Sequence, residues 1–173
     1  MDLPEELREQ LWEKYKYAGY RFYWKGNKEQ DLNHWNCSVI DKGSKNRESI
    51  TNLEDFPLEY AASQIASFSL PEKMEPIRVY VNAYTFGTEG GIHKDSEVEG
   101  DITTIIYLNP EWKGSWGGET VVFNEEQTEI LSSFLPKPGA VHAIKSNNWH
   151  CARGLSRLVS DFRLVLVIKW KRI

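Results

Sequence analysis

"FRLVLVIKW", residues 162–170, decides the fold. Side chains alternate along an extended strand, so Leu164, Leu166 and Ile168 share one face, while Val165 and Val167 share the other with Arg163. Both faces are apolar, and such a strand needs cover on both sides. Further back lie "IRVYVNAY" (77–84), "ITTIIYLN" (102–109), "ETVVF" (119–123), "ILSSFL" (130–135) and "AVHAI" (140–144), all short and rich in β-branched or aromatic residues. The turn formers "GTEGG", "NPEWKGSWGG", "PKPG" and "SNN" separate them. Regularly spaced short strands predict a sandwich or barrel.

The cover for the closing strand comes from the N-terminal part. Leu7, Leu11, Trp12, Tyr15 and Ala18 recur at helical spacing, with Asp2 and Pro4 at the start and Gly19 as the stop. Leu58, Ala61, Ala62, Ile65 and Phe68 repeat the pattern between Pro57, preceded by Asp55, and Pro71. "YRFYW" (20–24) and "WNCSVI" (35–40) read as strands, beside polar connectors at 25–33 and 41–52. The expectation is a mainly β (α+β) fold, a jelly roll with two N-terminal helices packed on one sheet. A single domain over 1–173 is expected, with 1–75 buttressing a β core at 76–170.

Composition narrows the class. A chain that is 40 % hydrophobic and 27 % charged, with seven Trp and eight Tyr, can bury a sizeable core. The net charge of −4 argues against a dedicated nucleic-acid binder, which needs a basic surface. The patch "KGSKNR" (42–47) reads as a solvated loop. "MDLPEELREQLW" has no apolar signal region, and no stretch reaches 18 apolar residues, so no membrane span is expected. Two distant cysteines, Cys37 and Cys151, suggest neither a disulfide framework nor a zinc knuckle, and a reduced cytoplasmic protein fits them. Nothing sets an oligomeric state, and a monomer is compatible.

The alternation also places polar groups inside. Tyr84 shares a face with Arg78, Tyr80 and Asn82; Tyr107 shares one with Thr103 and Ile105. An inward Arg163 is costly to bury and needs an anionic partner. "GTEGGIHKDSEVEGD" (87–101) carries His93 and Asp95 two positions apart, and His150 follows the turn "SNNW". Two His and one carboxylate on adjacent strand ends form a facial triad that leaves three octahedral positions open, the pattern of non-haem Fe(II) oxygenases. His142 is the rival of His150, and Arg153 and Arg157 are rivals of Arg163. His142 lies inside an alternating strand, where a packed histidine is ordinary; Arg157 falls in a connecting loop.

Taken in order, "YTFGTEGGIHKD", "TTIIYLNPEWKGSWGGETVVF", "PKPGAVHAIKSNNWH" and "FRLVLVIKW" resemble the prolyl-4-hydroxylase-like branch of the Fe(II)/2-oxoglutarate oxygenases. They are especially similar to the hypoxia-inducible-factor prolyl hydroxylases, over about residues 76–170. The resemblance implies a double-stranded β-helix with Fe(II) on His93, Asp95 and His150. It also implies Arg163, helped by Tyr107, on the distal carboxylate of 2-oxoglutarate, and Tyr84 lining that pocket. The implied reaction uses O2 to hydroxylate a C–H bond and converts 2-oxoglutarate to succinate. The gap from His150 to Arg163 is a few residues longer than the family's usual one, which keeps the neighbouring arginines in play.

The substrate is less legible. The resemblance favours a prolyl residue in a peptide or protein; free amino acids and nucleobases are alternatives, as is a catalytically silent metal-binding jelly roll. Lys94 reads as a surface charge, Cys151 as a small buried residue, and Gly117 and Gly118 as a tight turn without chemistry. Trp112 and Trp116 read as packing residues, with a substrate rim as the alternative. The N-terminal strand, the connectors and the loop 85–92 are expected to shape the entrance as mobile segments, and specificity is expected there.

Overall fold

Residues 2–24, 32–40, 56–68 and 73–173 are described in the structure, a computed structural model. The connector residues 25–31 and 41–52, the patch 42–47, and the helix signals at Asp55 and Pro71 lie outside the described residues. The described elements are α1 (Glu5–Tyr15), β1 (Arg21–Trp24), β2 (His34–Ile40), α2 (Leu58–Ile65), β3 (Met74–Tyr84), β4 (Ile102–Tyr107), β5 (Thr120–Phe123), β6 (Ile130–Phe134), β7 (Val141–Lys145), β8 (His150–Ala152) and β9 (Arg163–Arg172). They form a six-stranded sheet in the order β1-β2-β3-β9-β4-β7 and a three-stranded sheet in the order β6-β5-β8.

The closing strand β9 sits inside the large sheet, antiparallel to β3 from Met74↔Arg172 to Tyr84↔Arg163 and to β4 from Ile102↔Trp170 to Tyr107↔Val165. Its two apolar faces serve two cores. Leu164, Leu166 and Ile168 pack with Leu11, Trp12 and Tyr15 of α1 and Ala61 and Ile65 of α2. Val165 and Val167 pack with Tyr80, Tyr84, Ile105 and Tyr107 against Val122 and Ala152 of the small sheet. The helices therefore cover one face of the large sheet and the small sheet covers the other. This is the helix-buttressed jelly roll that the alternation predicts.

Two details differ from expectation. Helix α1 ends at Tyr15, short of Gly19. The Tyr20 hydroxyl donates to the Tyr15 carbonyl at 2.8 Å and Ala18 N–H reaches the same oxygen at 3.1 Å, so side chain and turn satisfy what another helical turn would have. The second is β8, which starts at His150 where a turn exit is expected. Three residues are too few for a periodic signal, and this strand exists through its pairing with β5, Thr120↔Ala152 to Val122↔His150. Among the described residues no helix is long and apolar enough to cross a membrane.

Candidate metal centre

The backbone brings the two histidines together before their side chains do. His93 and His150 form an antiparallel bridge, each N–H donating to the other's carbonyl at 3.0 Å. Their rings consequently sit side by side, centroids 4.5 Å apart. Asp95 N–H donates to the Ser146 carbonyl at 2.8 Å, which pins the aspartate to the strap leading into β8. The ligand atoms of His93, Asp95 and His150 all lie within 4.8 Å of one another, a spacing that one ion can bridge with small side-chain rotations.

Hydrogen bonds fix the rings in the state a metal needs. His93 Nδ1 lies 2.8 Å from the Gly91 carbonyl and His150 Nδ1 2.9 Å from the Asn148 carbonyl. A carbonyl can only accept, so each Nδ1 carries the proton and each Nε2 presents a lone pair. Both Nε2 atoms face Asp95, at 3.5 Å from Oδ1 and Oδ2 respectively. Thr103 Oγ1 donates to Asp95 Oδ2 at 2.7 Å, the supporting bond that orients a ligating carboxylate. Mixed imidazole and carboxylate donors, with no thiolate, suit an octahedral iron site better than a closed zinc site.

Asp95 has a further partner that the His-x-Asp motif does not announce. Lys169 Nζ lies 2.8 Å from Asp95 Oδ1. Burial alone would raise the carboxyl's pKa, but the Lys169 ammonium and the two imidazoles hold it well below the usual carboxylate range. Burial pushes the His150 pKa down more strongly than Asp95 lifts it. For the more accessible His93, burial also pushes down, but the bond to Asp95 outweighs it and the pKa rises.

The cavity beside the triad runs between the sheets and is lined by Tyr80, Asn82, Tyr84, Ile105, Thr120, Arg163, Val165 and Val167 among others. Arg163 is 1 % exposed. Asn109, the end of the Tyr-Leu-Asn stretch, holds the head of β9 from both sides. Its Nδ2 donates to the Phe162 carbonyl at 2.6 Å and its Oδ1 accepts from Leu164 N–H at 2.7 Å. The guanidinium lies between Tyr84 and Tyr107, 4.9 and 5.1 Å from the ring centroids. Nη2 donates to Thr120 Oγ1 at 2.8 Å, while Nε and Nη1 have no partner among the described residues. A buried cation with two orphaned donors is a site for an anion.

Tyr107 contributes differently from the expectation of a direct pocket hydroxyl. Its O–H reaches Thr120 Oγ1 at 2.8 Å, with the Phe134 carbonyl at 3.3 Å, and it does not line the cavity. Thr120 is the group that faces inward. Accepting from both Arg163 and Tyr107, it keeps its own proton to donate. In sequence Thr120 is one more β-branched residue of "ETVVF"; only its parity with the cavity face of β5 marks it.

The rivals lie elsewhere. His142 stacks on Phe134, centroids 4.3 Å apart, and meets Tyr107 edge-on at 6.0 Å. Arg153 and Arg157 are exposed in the loop before β9. Lys94 points away from the triad and pairs with Glu125 at 2.8 Å over the Trp149 ring. Trp112 and Trp116 meet edge-on at 5.4 Å and pack against the inter-sheet core. Gly118 does more than turn the chain. At φ +77°, a Cβ there would lie 2.6 Å from Leu155 Cδ2 and 3.2 Å from Arg163 Cδ, so its bareness makes room for the arginine stem. The loop 85–92 is tied down, with Thr88 Oγ1 bonded to Thr85 and Gly90 N–H donating to the Ala152 carbonyl at 3.0 Å.

His34 joins the site without any motif to mark it. It is 3 % exposed, stacks on Tyr84 at 4.8 Å, and neither ring nitrogen has a partner among the described residues. The Arg163 guanidinium lies 4.9 Å from the centroid of the same Tyr84 ring. Beside it, Asn36 Nδ2 donates to Asn82 Oδ1 at 2.7 Å, and Asn82 Nδ2 to the Tyr84 hydroxyl at 3.3 Å. The strand β2 thus buttresses the wall of the cavity. Burial, with His93 and Arg163 nearby, pushes the His34 pKa down to about 4.

The fold has counterparts among known proteins. No curated protein matches the chain. In fold it is similar to a Pseudomonas putida prolyl-4-hydroxylase, with TM-score 0.65 and 17 % identity over 99 % of this chain and 89 % of that one. It is similar too to a viral collagen prolyl hydroxylase of Paramecium bursaria Chlorella virus-1, solved with 2-oxoglutarate: TM-score 0.64, 15 % identity, 100 % and 94 % covered. A Trichoplax adhaerens prolyl hydroxylase in complex with a hypoxia-inducible-factor peptide gives TM-score 0.56 and 13 % identity, covering 95 % and 74 %. Residues 79–168, more than half of the chain, match the 2OG-Fe(II) oxygenase superfamily. The chain belongs to that superfamily, whose dioxygenases work with Fe(II), 2-oxoglutarate and O2.

Proposed function

We propose that this oxygenase hydroxylates a prolyl residue of a peptide or protein, with His93, Asp95 and His150 as the iron ligands and Arg163 as the anchor of 2-oxoglutarate. The observation that carries the assignment of roles is Arg163, a buried guanidinium with two orphaned donors in the cavity that the triad also lines. A planar fork selects a second carboxylate over a neutral group. Thr120 adds a hydroxyl donor, Tyr107 holds Thr120 in place, and Tyr84 caps the guanidinium with its ring face.

When bound, iron supplies the oxidising chemistry that inserts one oxygen atom into a C–H bond as 2-oxoglutarate loses CO2 to become succinate. The chain supplies the arrangement. The two Nδ1 bonds fix the tautomer and aim each Nε2, and Thr103 keeps Asp95 turned toward them. Ile105, Val165 and Val167 give the cavity apolar walls that limit water. Prolyl specificity is supported by the fold shared with prolyl hydroxylases, including one that holds a peptide, and it rests on that analogy. We read the chain as one domain. The free thiols Cys37 and Cys151 fit a reducing cytoplasmic setting.

The test is aerobic incubation of the Fe(II) protein with 2-oxoglutarate and a peptide library, measuring succinate and the mass of each peptide. Succinate formation coupled to a gain of one oxygen atom on proline-containing peptides is the expected result. Coupled oxidation confined to another residue type would keep the chemistry and remove the prolyl assignment.

A further inference from the structure

Pairing across β3, β9 and β4 lays the cavity-side residues out in rows two residues, about 7 Å, apart. Tyr84 stands opposite Arg163. The next row is Asn82, Val165 and Tyr107, and the one after it is Tyr80, Val167 and Ile105. The row beyond is Arg78, Lys169 and Thr103, and the last two bond Asp95. The triad therefore sits over that final row. A ligand that starts at Arg163 and ends at the triad crosses the row of Tyr80 just before the triad, where Val167 and Ile105 offer only apolar side chains.

Tyr80 lines the cavity and is 7 % exposed. Cations hold its ring, the Arg78 guanidinium at 4.6 Å and the Lys169 ammonium at 5.9 Å from the centroid. Its hydroxyl has no hydrogen-bond partner among the described residues. Its polar neighbours on the cavity wall are engaged: Asn82 bonds Asn36 and the Tyr84 hydroxyl, and Thr103 bonds Asp95 and Ser146. Burial, with Asp95 and Tyr84 nearby, pushes the Tyr80 pKa well up against the pull of Arg78, so the phenol keeps a proton to donate.

On the oxygenase reading, we propose that Tyr80 is a binding residue for 2-oxoglutarate, its hydroxyl donating to the carboxylate of the 2-oxo acid end, the end turned toward the triad. The two ends of the diacid are then held by different chemistry. The distal carboxylate meets a charged fork at Arg163. The carboxylate beside a divalent ion has its charge offset already, and a neutral hydroxyl gives it direction without a second buried cation to desolvate.

Binding can be read without turnover. Tyr80→Phe removes the hydroxyl and keeps the ring on which the two cations rest. Protein loaded anaerobically with Fe(II) is titrated with 2-oxoglutarate and with 2-oxobutyrate, which keeps the 2-oxo acid end and lacks the distal carboxylate. The visible chelate band gives each Kd. The expected result is at least about tenfold weaker binding of both acids in Tyr80→Phe, by the same factor, whereas Arg163→Met weakens 2-oxoglutarate alone. Co(II) affinity by calorimetry, with no acid added, should stay at the parent value. Unchanged affinity for 2-oxoglutarate, a loss that spares 2-oxobutyrate, or an equal loss of Co(II) affinity overturns the proposal. Should Tyr80→Phe fail to fold, Tyr80→Met serves the same comparison. Absence of the chelate band in the parent protein would overturn the oxygenase reading itself; with the band present, every outcome bears on Tyr80 alone.

Discussion

Replacing Arg163 with Met separates binding from stability. Methionine keeps an unbranched stem between the Tyr84 and Tyr107 rings and removes only the charged fork. For 2-oxoglutarate, losing a hydrogen-bonded charge pair inside a site costs about 2–5 kcal/mol, a fall in affinity of roughly 30-fold to several thousand-fold. For the ligand-free protein the terms oppose each other. Relief from burying a cation with two unpaired nitrogens is worth about 1–4 kcal/mol. Against it stand the lost bond to Thr120 and two ring contacts, together of similar size. Stability should therefore move by no more than about 1–2 kcal/mol. Anaerobic titration of the Fe(II) protein with 2-oxoglutarate, followed by the chelate absorbance, measures the first quantity; urea unfolding measures the second. Retained affinity in Arg163→Met, or the same loss in Arg157→Met, would show that a different cation holds the diacid.

Neighbouring residues give three further expectations. Gly118→Ala puts a methyl 2.6 Å from Leu155 Cδ2 and 3.2 Å from the Arg163 stem at a positive φ, so displacement of both and weaker 2-oxoglutarate binding are expected with iron retained, as a metal titration beside the chelate titration would show. Asp95→Asn removes the one anionic ligand; supporting groups alone are worth about 10–100-fold, so Co(II) affinity by calorimetry should drop more than about 100-fold. His34 titrates at about 4 in the folded chain against an ordinary 6.5, because burial excludes its proton. Between those values the unfolded chain binds the proton that the folded one refuses, so stability is full above the ordinary value and falls as pH drops toward 4, by up to about 3 kcal/mol. His34→Phe keeps a ring on Tyr84 and should lose less stability than the parent between about pH 7.5 and 4.5 in metal-free urea melts; equal losses would rule this origin out.

Much of the fold is legible in the sequence because period-two alternation is a local property. Leu164 and Val165 have to face opposite ways whatever pairs with β9, and the turn formers mark where strands stop. The triad is legible for a similar reason, since His93 and Asp95 sit in one loop and His150 follows a recognisable turn. Helix α1 is a turn shorter than its spacing implies because the bond from the Tyr20 hydroxyl to the Tyr15 carbonyl leaves no trace in helical periodicity. Strand β8 looks like a turn exit because its partner is β5, and a three-residue strand has no period of its own.

Thr120, His34 and Lys169 carry signals too faint to single them out. Thr120 looks like any strand former, and His34 precedes the segment that reads as a strand. Lys169 shares parity with Arg163, Val165 and Val167, so its inward direction is written in the alternation, yet a lysine near a strand end ordinarily points to water. The sequence by itself determined which way each side chain points, because that follows from backbone geometry over a few residues. Only the tertiary structure decided which inward side chains meet. Asp95 and Lys169 stand 74 positions apart and touch because β3, β9 and β4 pair in one register, a choice made by the packing of both cores and not by any local stretch.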